Sequence, residues 1–253
     1  MPQRFFWYEL MTSDAAAAVP FYTDVMGWRA EPVGPADDPY TVMYAGERGV
    51  GGVMTLPQEA CDAGARPGWL GYIRSADVDA DTRAAAEAGG AVLRPPHDIP
   101  QAGRFSVVAD PQGAAFMLLQ PSGPDRPPVA QAALGHVGWH ELYAGDVEAV
   151  FPFYAGRFGW TKAEAVDMGP MGTYQLFAAG GDPVGGMMNK PAQIPSPVWL
   201  FYFNVEAADA ALARVTGNGG QVLMGPMQVP GGSWVAQCMD PQGAVFALTA
   251  PVR

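Results

Sequence analysis

An α+β fold made of two tandem copies of one module is what this sequence predicts, each module holding two β-α-β-β-β units. Three observations carry that prediction. Asp110-Pro111-Gln112-Gly113-Ala114 returns letter for letter as Asp240-Pro241-Gln242-Gly243-Ala244, a shift of 130. A longer series of residues repeats in the same order through both halves. Strand-type and helix-type segments alternate in the same pattern twice within each half.

The repeat is extensive. At a shift of 132, Trp7, Glu9, Leu10, Asp14, Pro20, Phe21, Tyr22, Gly27 and Trp28 meet Trp139, Glu141, Leu142, Asp146, Pro152, Phe153, Tyr154, Gly159 and Trp160. At a shift of 134, Tyr40, Gly51, Gly52 and Met54 meet Tyr174, Gly185, Gly186 and Met188. At a shift of 130, Trp69, Leu70, Tyr72, Gly89, Gly90 and Phe116 meet Trp199, Leu200, Tyr202, Gly219, Gly220 and Phe246. The shift changes only between motifs, where loops absorb insertions.

Each element follows from local chemistry. Phe5 to Met11 is apolar and aromatic around one carboxylate, Glu9, which reads as a strand buried on both faces. Ser13-Asp14 offers an N-cap, and Ala15 to Met26 reads as a helix that Pro20 bends or delays, stopped at Gly27. A strand follows Trp28, Asp37-Asp38-Pro39 makes a turn, and Tyr40 to Ala45 and Val50 to Leu56 are strands. The Gly51-Gly52 pair marks a bulge or a close backbone approach. Residues 57–67 read as a loop. Trp69 to Arg74 is a strand, Asp77 to Ala88 a helix ended by Gly89-Gly90, and Ala91 to Arg94 a strand. Phe105 to Ala109 and Ala115 to Leu119 flank the Asp-Pro-Gln-Gly turn, where Asp bonds the backbone, Pro fixes φ and Gly supplies a positive φ. The second half repeats the scheme, with helices near Asp146 to Phe158 and Glu206 to Asn218. The modules are therefore expected over 1–122 and 133–253, joined by a proline-rich linker, 123–132.

At 253 residues the chain can hold two sizeable cores. A net charge of -11 argues against nucleic acid and anionic membrane surfaces as partners. No apolar run reaches the length of a membrane span, and the N-terminus carries no signal-peptide pattern. Cys61 and Cys238 occupy non-equivalent places in the two halves and read as free thiols, so a cytoplasmic location is expected. A small-molecule ligand is the expected partner, and the chain is expected to be a monomer or a homodimer.

The motifs also carry a family resemblance. The tandem β-α-β-β-β units, the Phe21-Tyr22 and Gly27-Trp28 helix exit and the Asp-Pro-x-Gly hairpin resemble the vicinal oxygen chelate superfamily, the fold of glyoxalase I, extradiol dioxygenases and bleomycin-resistance proteins. Trp-x-Glu-Leu, Gly-Gly-x-Met and Asp-Pro-x-Gly-Ala in both halves are similar to two-module members of the mycobacterial 27 kDa antigen family. The resemblance implies that each half curls an eight-stranded sheet into a cup. In metal-using members four His, Gln or Glu ligands line it. Carried over one by one, those positions fall on Trp7, Leu70 and Met117 with Val53 or Met54, and on Trp139, Leu200 and Ala247 with Met187 or Met188. None is a hard-metal ligand, and the three histidines, His97, His136 and His140, show no ligand spacing. No metal or other cofactor is therefore expected.

Strand alternation points Glu9, and likewise Glu141, to the same face as Trp7 and Trp139. Each is either an acid/base group in an apolar cup or a structural carboxylate bonding backbone donors near the Gly-Gly pair. The expected ligand-binding set is Trp7, Trp69, Met54, His97, Arg104, Trp139, Trp199 and Met188, with methionines giving adaptable walls. His140 is expected to pack under the helix layer. Two classes of function fit these residues. One is a metal-free protein that binds a small apolar or aromatic molecule, as in resistance by sequestration. The other is a lyase, isomerase or hydrolase-type enzyme using Glu9 or Glu141, with a metal-dependent glyoxalase or dioxygenase as a further variant.

Overall fold

The computed structural model describes residues 3–34, 39–124 and 127–253. The expected turn at Asp37-Asp38 and part of the linker lie outside the described residues. The element order is four successive β-α-β-β-β units. The first is β1 (Phe5–Thr12), α1 (Ala15–Met26), β2 (Arg29–Val33), β3 (Tyr40–Ala45) and β4 (Arg48–Thr55). A short helix, α2 (Gln58–Asp62), then stands where the sequence reads as plain loop. The second unit is β5 (Gly68–Arg74), α3 (Val78–Glu87), β6 (Ala91–Ile99), β7 (Gly103–Ala109) and β8 (Ala115–Pro121). The third is β9 (Val137–Ala144), α4 (Val147–Phe158), β10 (Thr161–Asp167), β11 (Thr173–Ala178) and β12 (Pro183–Asn189). The last is β13 (Val198–Asn204), α5 (Ala208–Gly217), β14 (Gln221–Gln228), β15 (Trp234–Met239) and β16 (Val245–Ala250).

Two eight-stranded mixed sheets result, neither closed into a barrel. Their orders are β2-β3-β4-β1-β5-β8-β7-β6 and β10-β11-β12-β9-β13-β16-β15-β14. Within them β1 runs parallel to β4 and β5 to β8, and the hairpin partners run antiparallel. No helix of the described residues is long and apolar enough to cross a membrane.

Local signals set the helix ends. Asp14, Asp77 and Asp146 each accept a hydrogen bond from the backbone N–H three residues on. Gly27 and Gly159 close α1 and α4 at φ 69°. Pro20 and Pro152 are accommodated inside continuous helices, so α1 begins at Ala15 and not later.

By packing, the chain divides into two compact units, and each draws on both halves of the sequence. One contains Trp7–Leu70, Ala130–Gly138 and Phe201–Arg253. The other contains the segment ending at Phe6, Gly71–Val129 and Trp139–Leu200. In the first, α1 and the fourth β-α-β-β-β unit share a core: Phe21 and Tyr22 pack edge-on against Phe246. In the second, Phe153, Tyr154 and Phe158 of α4 pack on Phe116.

The Asp-Pro-x-Gly turns anchor these cores. Asp240 Oδ1 accepts the N–H groups of Gln242 (2.9 Å) and Ala244 (2.8 Å), and Gly243 takes φ 93°. Its other oxygen accepts the Tyr22 hydroxyl at 3.0 Å, and the Trp69 indole N–H donates to that hydroxyl at 3.0 Å. In the other unit Asp110 Oδ2 accepts Tyr154 (2.9 Å), which accepts the Trp199 indole N–H (3.0 Å). Burial raises the pKa of both aspartates and, more strongly, of both phenols.

Candidate functional site

A second Trp-Tyr-carboxylate chain lies on the other side of each sheet. Adjacent residues of a strand point to opposite faces. A Cβ at Gly51 would lie 3.7 Å from the Trp69 ring, on the face covered by α1, so Gly52, Glu9 and Trp7 belong to the opposite, open face. There the Trp7 indole N–H donates to the Tyr40 hydroxyl at 3.3 Å, and that hydroxyl donates to Glu9 Oε2 at 3.0 Å. The register explains the meeting: Glu9 pairs with Gly52 across β1–β4, and Tyr40 with Met54 across β3–β4.

Gly52 is the floor of this cluster. A Cβ there would sit 1.9 Å from the Tyr40 hydroxyl oxygen and 2.7 Å from Glu9 Oε1. The other glycine of the pair has a different reason: a Cβ on Gly51 would meet the Tyr8 carbonyl oxygen at 2.3 Å. Close approach, backbone on one face and side chains on the other, is thus what the Gly-Gly pair provides.

The second half repeats the arrangement within the other compact unit. The Trp139 indole N–H donates to the Tyr174 hydroxyl at 2.7 Å, Tyr174 is hydrogen-bonded to Glu141, and a Cβ on Gly186 would meet the Tyr174 ring at 2.2 Å. The carboxylates are buried, Glu9 at 2% and Glu141 at 6% exposure, whereas Trp7, Tyr40, Trp139 and Tyr174 are half-buried. Burial, then the negative charge of Glu9 or Glu141, pushes each phenol well above its ordinary pKa, so both remain protonated donors. Met54 is half-buried two residues beyond Gly52, and Met188, 9% exposed, stands in the same place in the second half. One wall residue differs. The first half has Met11 where the second has Tyr143.

The remaining candidates lie elsewhere. Trp69 and Trp199, 5% and 3% exposed, are in the helix-face cores, bonded to Tyr22 and Tyr154. His97 is exposed on β6, edge-on to Phe105 at 6.2 Å. Arg104 is held by Asp79 (2.6 and 3.0 Å) and Asp98 (2.9 Å), which already balance its charge. His140 is buried under the helix layer, stacked on Phe5 at 5.0 Å with Nδ1 2.8 Å from the Val184 carbonyl oxygen. Burial lowers its pKa to about 4.

Tyr40 and Tyr174 are the residues that sequence reasoning left out of the site. Both are visible in the repeat, yet only the β3–β4–β1 register brings a residue 31 positions away onto the Glu9 carboxylate.

The positions onto which the family resemblance carries metal ligands hold no hard donor here. Val53, Met117, Met187 and Ala247 are fully buried, and Trp7, Leu70 and Met54 are half-buried. Among the described residues no group of three or more His, Cys, Asp or Glu could hold a metal ion. This donor set does not fit a divalent metal.

Comparison with known proteins gives consistent findings. The family model described as Glyoxalase/Bleomycin resistance protein/Dioxygenase superfamily matches residues 4–118 and again 133–248. The chain is 33% identical over 247 residues to "Putative glyoxylase CFP32" of Mycobacterium tuberculosis, covering 97% of this chain and 94% of that protein. It is 32% identical over 255 residues to the anthracycline biosynthesis protein DnrV of Streptomyces peucetius, covering 96% and 91%. Among solved structures, the Mn(II)-bound glyoxalase from Novosphingobium aromaticivorans superposes with a TM-score of 0.64 at 18% identity, covering 100% of this chain and 82% of that one.

Proposed function

We propose that this chain, which belongs to the glyoxalase/bleomycin resistance protein/dioxygenase superfamily, binds a small, mostly apolar or aromatic molecule without a metal. The observation that carries the reading is the open-face cluster: half-buried Trp and Tyr side chains, with a methionine beside them, around a buried carboxylate, present once per half. Aromatic rings there give flat apolar area, methionines give adaptable wall, and the carboxylate gives one polar anchor. In this reading residues 1–122 and 133–253 are the two modules, joined by 123–132, and each carries its own ligand position. A cytoplasmic setting, with Cys61 and Cys238 as free thiols, belongs to the same proposal.

A second reading is favoured by the Tyr-carboxylate contact. A carboxylate fixed by a phenol on an open face can act as an acid/base group in a lyase or isomerase reaction. Relatives described as glyoxylases are compatible with it.

Titration of the full chain with the neutral fluorophore N-phenylnaphthylamine tests the first reading, before and after dialysis against EDTA. Saturable binding unchanged by EDTA is expected. A stoichiometric metal retained through purification, with binding abolished by its removal, would overturn it. Turnover that survives in the parent and disappears in Glu9→Gln or Glu141→Gln, with folding intact, would establish the second reading instead.

A further inference from the structure

The two open-face clusters share their indole, phenol and carboxylate but not the residue beside them. Two positions on from each glutamate, strand alternation returns to the same face. In the first half that position is Met11, paired across β1–β4 with Met54. In the second it is Tyr143, paired across β9–β12 with Met188. Met11 and Met54 are both half-buried, whereas Tyr143 and Met188 are buried, at 8% and 9% exposure. Tyr143 also lies close enough to Tyr174 for a charge on it to raise the Tyr174 pKa. The second cluster is the tighter of the two: its indole-to-phenol bond is 2.7 Å, against 3.3 Å in the first.

We infer that residues 11 and 143 set the size of the molecule each half takes. Methionine is unbranched and flexible, so it yields to an incoming ring. The ring of tyrosine is bulkier and rigid, and it fills the same ground with its own aromatic surface. The first half therefore takes the larger aromatic molecule, and the second, with that space already occupied, takes a smaller one. Met11 and Tyr143 are specificity-determining residues in this assignment. It rests on the binding reading above and adds the size limit of each position.

Two probes that differ by one ring test it in the full chain: 2-naphthol and N-phenylnaphthylamine. Calorimetry gives the number bound, and the NMR signals of the Trp7 and Trp139 indole N–H groups give the place. 2-Naphthol should saturate at two per chain and move both signals. N-phenylnaphthylamine should saturate at one per chain and move the Trp7 signal alone. Tyr143→Met should admit a second N-phenylnaphthylamine and bring the Trp139 signal into the response. Met11→Tyr should weaken the first N-phenylnaphthylamine about ten-fold or more, as overfilling a packed space does. If either variant fails to fold, the two stoichiometries in the parent still decide. Two N-phenylnaphthylamine molecules per parent chain, or one placed at Trp139, overturn the size limit and leave the binding reading standing. A folded Tyr143→Met chain that still binds only one overturns the role of Tyr143. 2-Naphthol responding at Trp7 alone overturns the smaller second position. No response of either indole to either probe overturns the binding reading itself.

Discussion

Two indole-to-phenol-to-carboxylate chains lie within one compact unit, and they differ in what surrounds them. Trp69, Tyr22 and Asp240 are at most 5% exposed, and the aspartate also accepts two backbone N–H groups of its own turn. Trp7 and Tyr40 are half-buried, and Glu9 stands over a glycine. The other unit repeats both, as Trp199-Tyr154-Asp110 and Trp139-Tyr174-Glu141. The bonding pattern is shared, so it cannot by itself mark a site. Position decides: the aspartate chain bolts a helix to a hairpin turn, and the glutamate chain faces outward from the sheet.

The largest expected effect breaks the buried member. Asp240→Ala, or Asp110→Ala, strands a phenol hydroxyl and two backbone N–H groups, a loss of about 3 kcal/mol or more. The midpoint of urea denaturation reads it. Glu9→Gln keeps size and hydrogen bonding at the open face and should shift that midpoint far less. Equal shifts would erase the distinction drawn here.

His140 tests whether the helix face excludes charge. Its folded pKa of about 4 lies below the ordinary 6.5, because burial disfavours imidazolium and the Val184 carbonyl only partly offsets this. Between those values the unfolded chain takes up a proton that the folded chain does not. Stability is therefore full above pH 6.5, falls as the pH drops towards 4, and loses about 3 kcal/mol in all. His140→Phe should remove this part of the pH dependence. An unchanged pH profile would contradict it.

Much of this was legible in the sequence, and the reasons for the rest are physical. The repeat, the caps at Asp14, Asp77 and Asp146, and the Asp-Pro-x-Gly turns are local signals, so element order and most boundaries follow from them. The pairing of Tyr22 with Asp240 spans 218 positions and leaves no local trace. Strand tryptophans look alike in sequence. Trp7 and Trp69 separate only when α1 covers one face of the sheet and not the other. Tyr40 was visible as a repeated residue, but its role depends on strand register. The short helix Gln58–Asp62 lies in a Pro-, Gly- and Ala-rich stretch with no side-chain cap, which reads as loop.

Smaller effects sharpen the comparison. Tyr22→Phe leaves the Trp69 N–H without its acceptor and Asp240 without its phenol, at about 2 kcal/mol, whereas water can replace the hydroxyl of Tyr40 and Tyr40→Phe should cost under about 1 kcal/mol. Thermal denaturation of the two variants side by side checks this. Arg104→Ala removes a surface pairing with Asp79 and Asp98, and its denaturation midpoint should match the parent's. A clear drop there would give that ion pair a structural role.

Solvent exchange of the indole N–H protons of Trp7, Trp69, Trp139 and Trp199, followed by NMR with and without the aromatic probe 2-naphthol, is the most direct test of the distinction between the two faces. Trp69 and Trp199 should exchange only through global unfolding and ignore the probe. Trp7 and Trp139 should exchange faster in the free chain and become protected when 2-naphthol is added. Four equally protected indoles, none responding to the probe, would contradict the account.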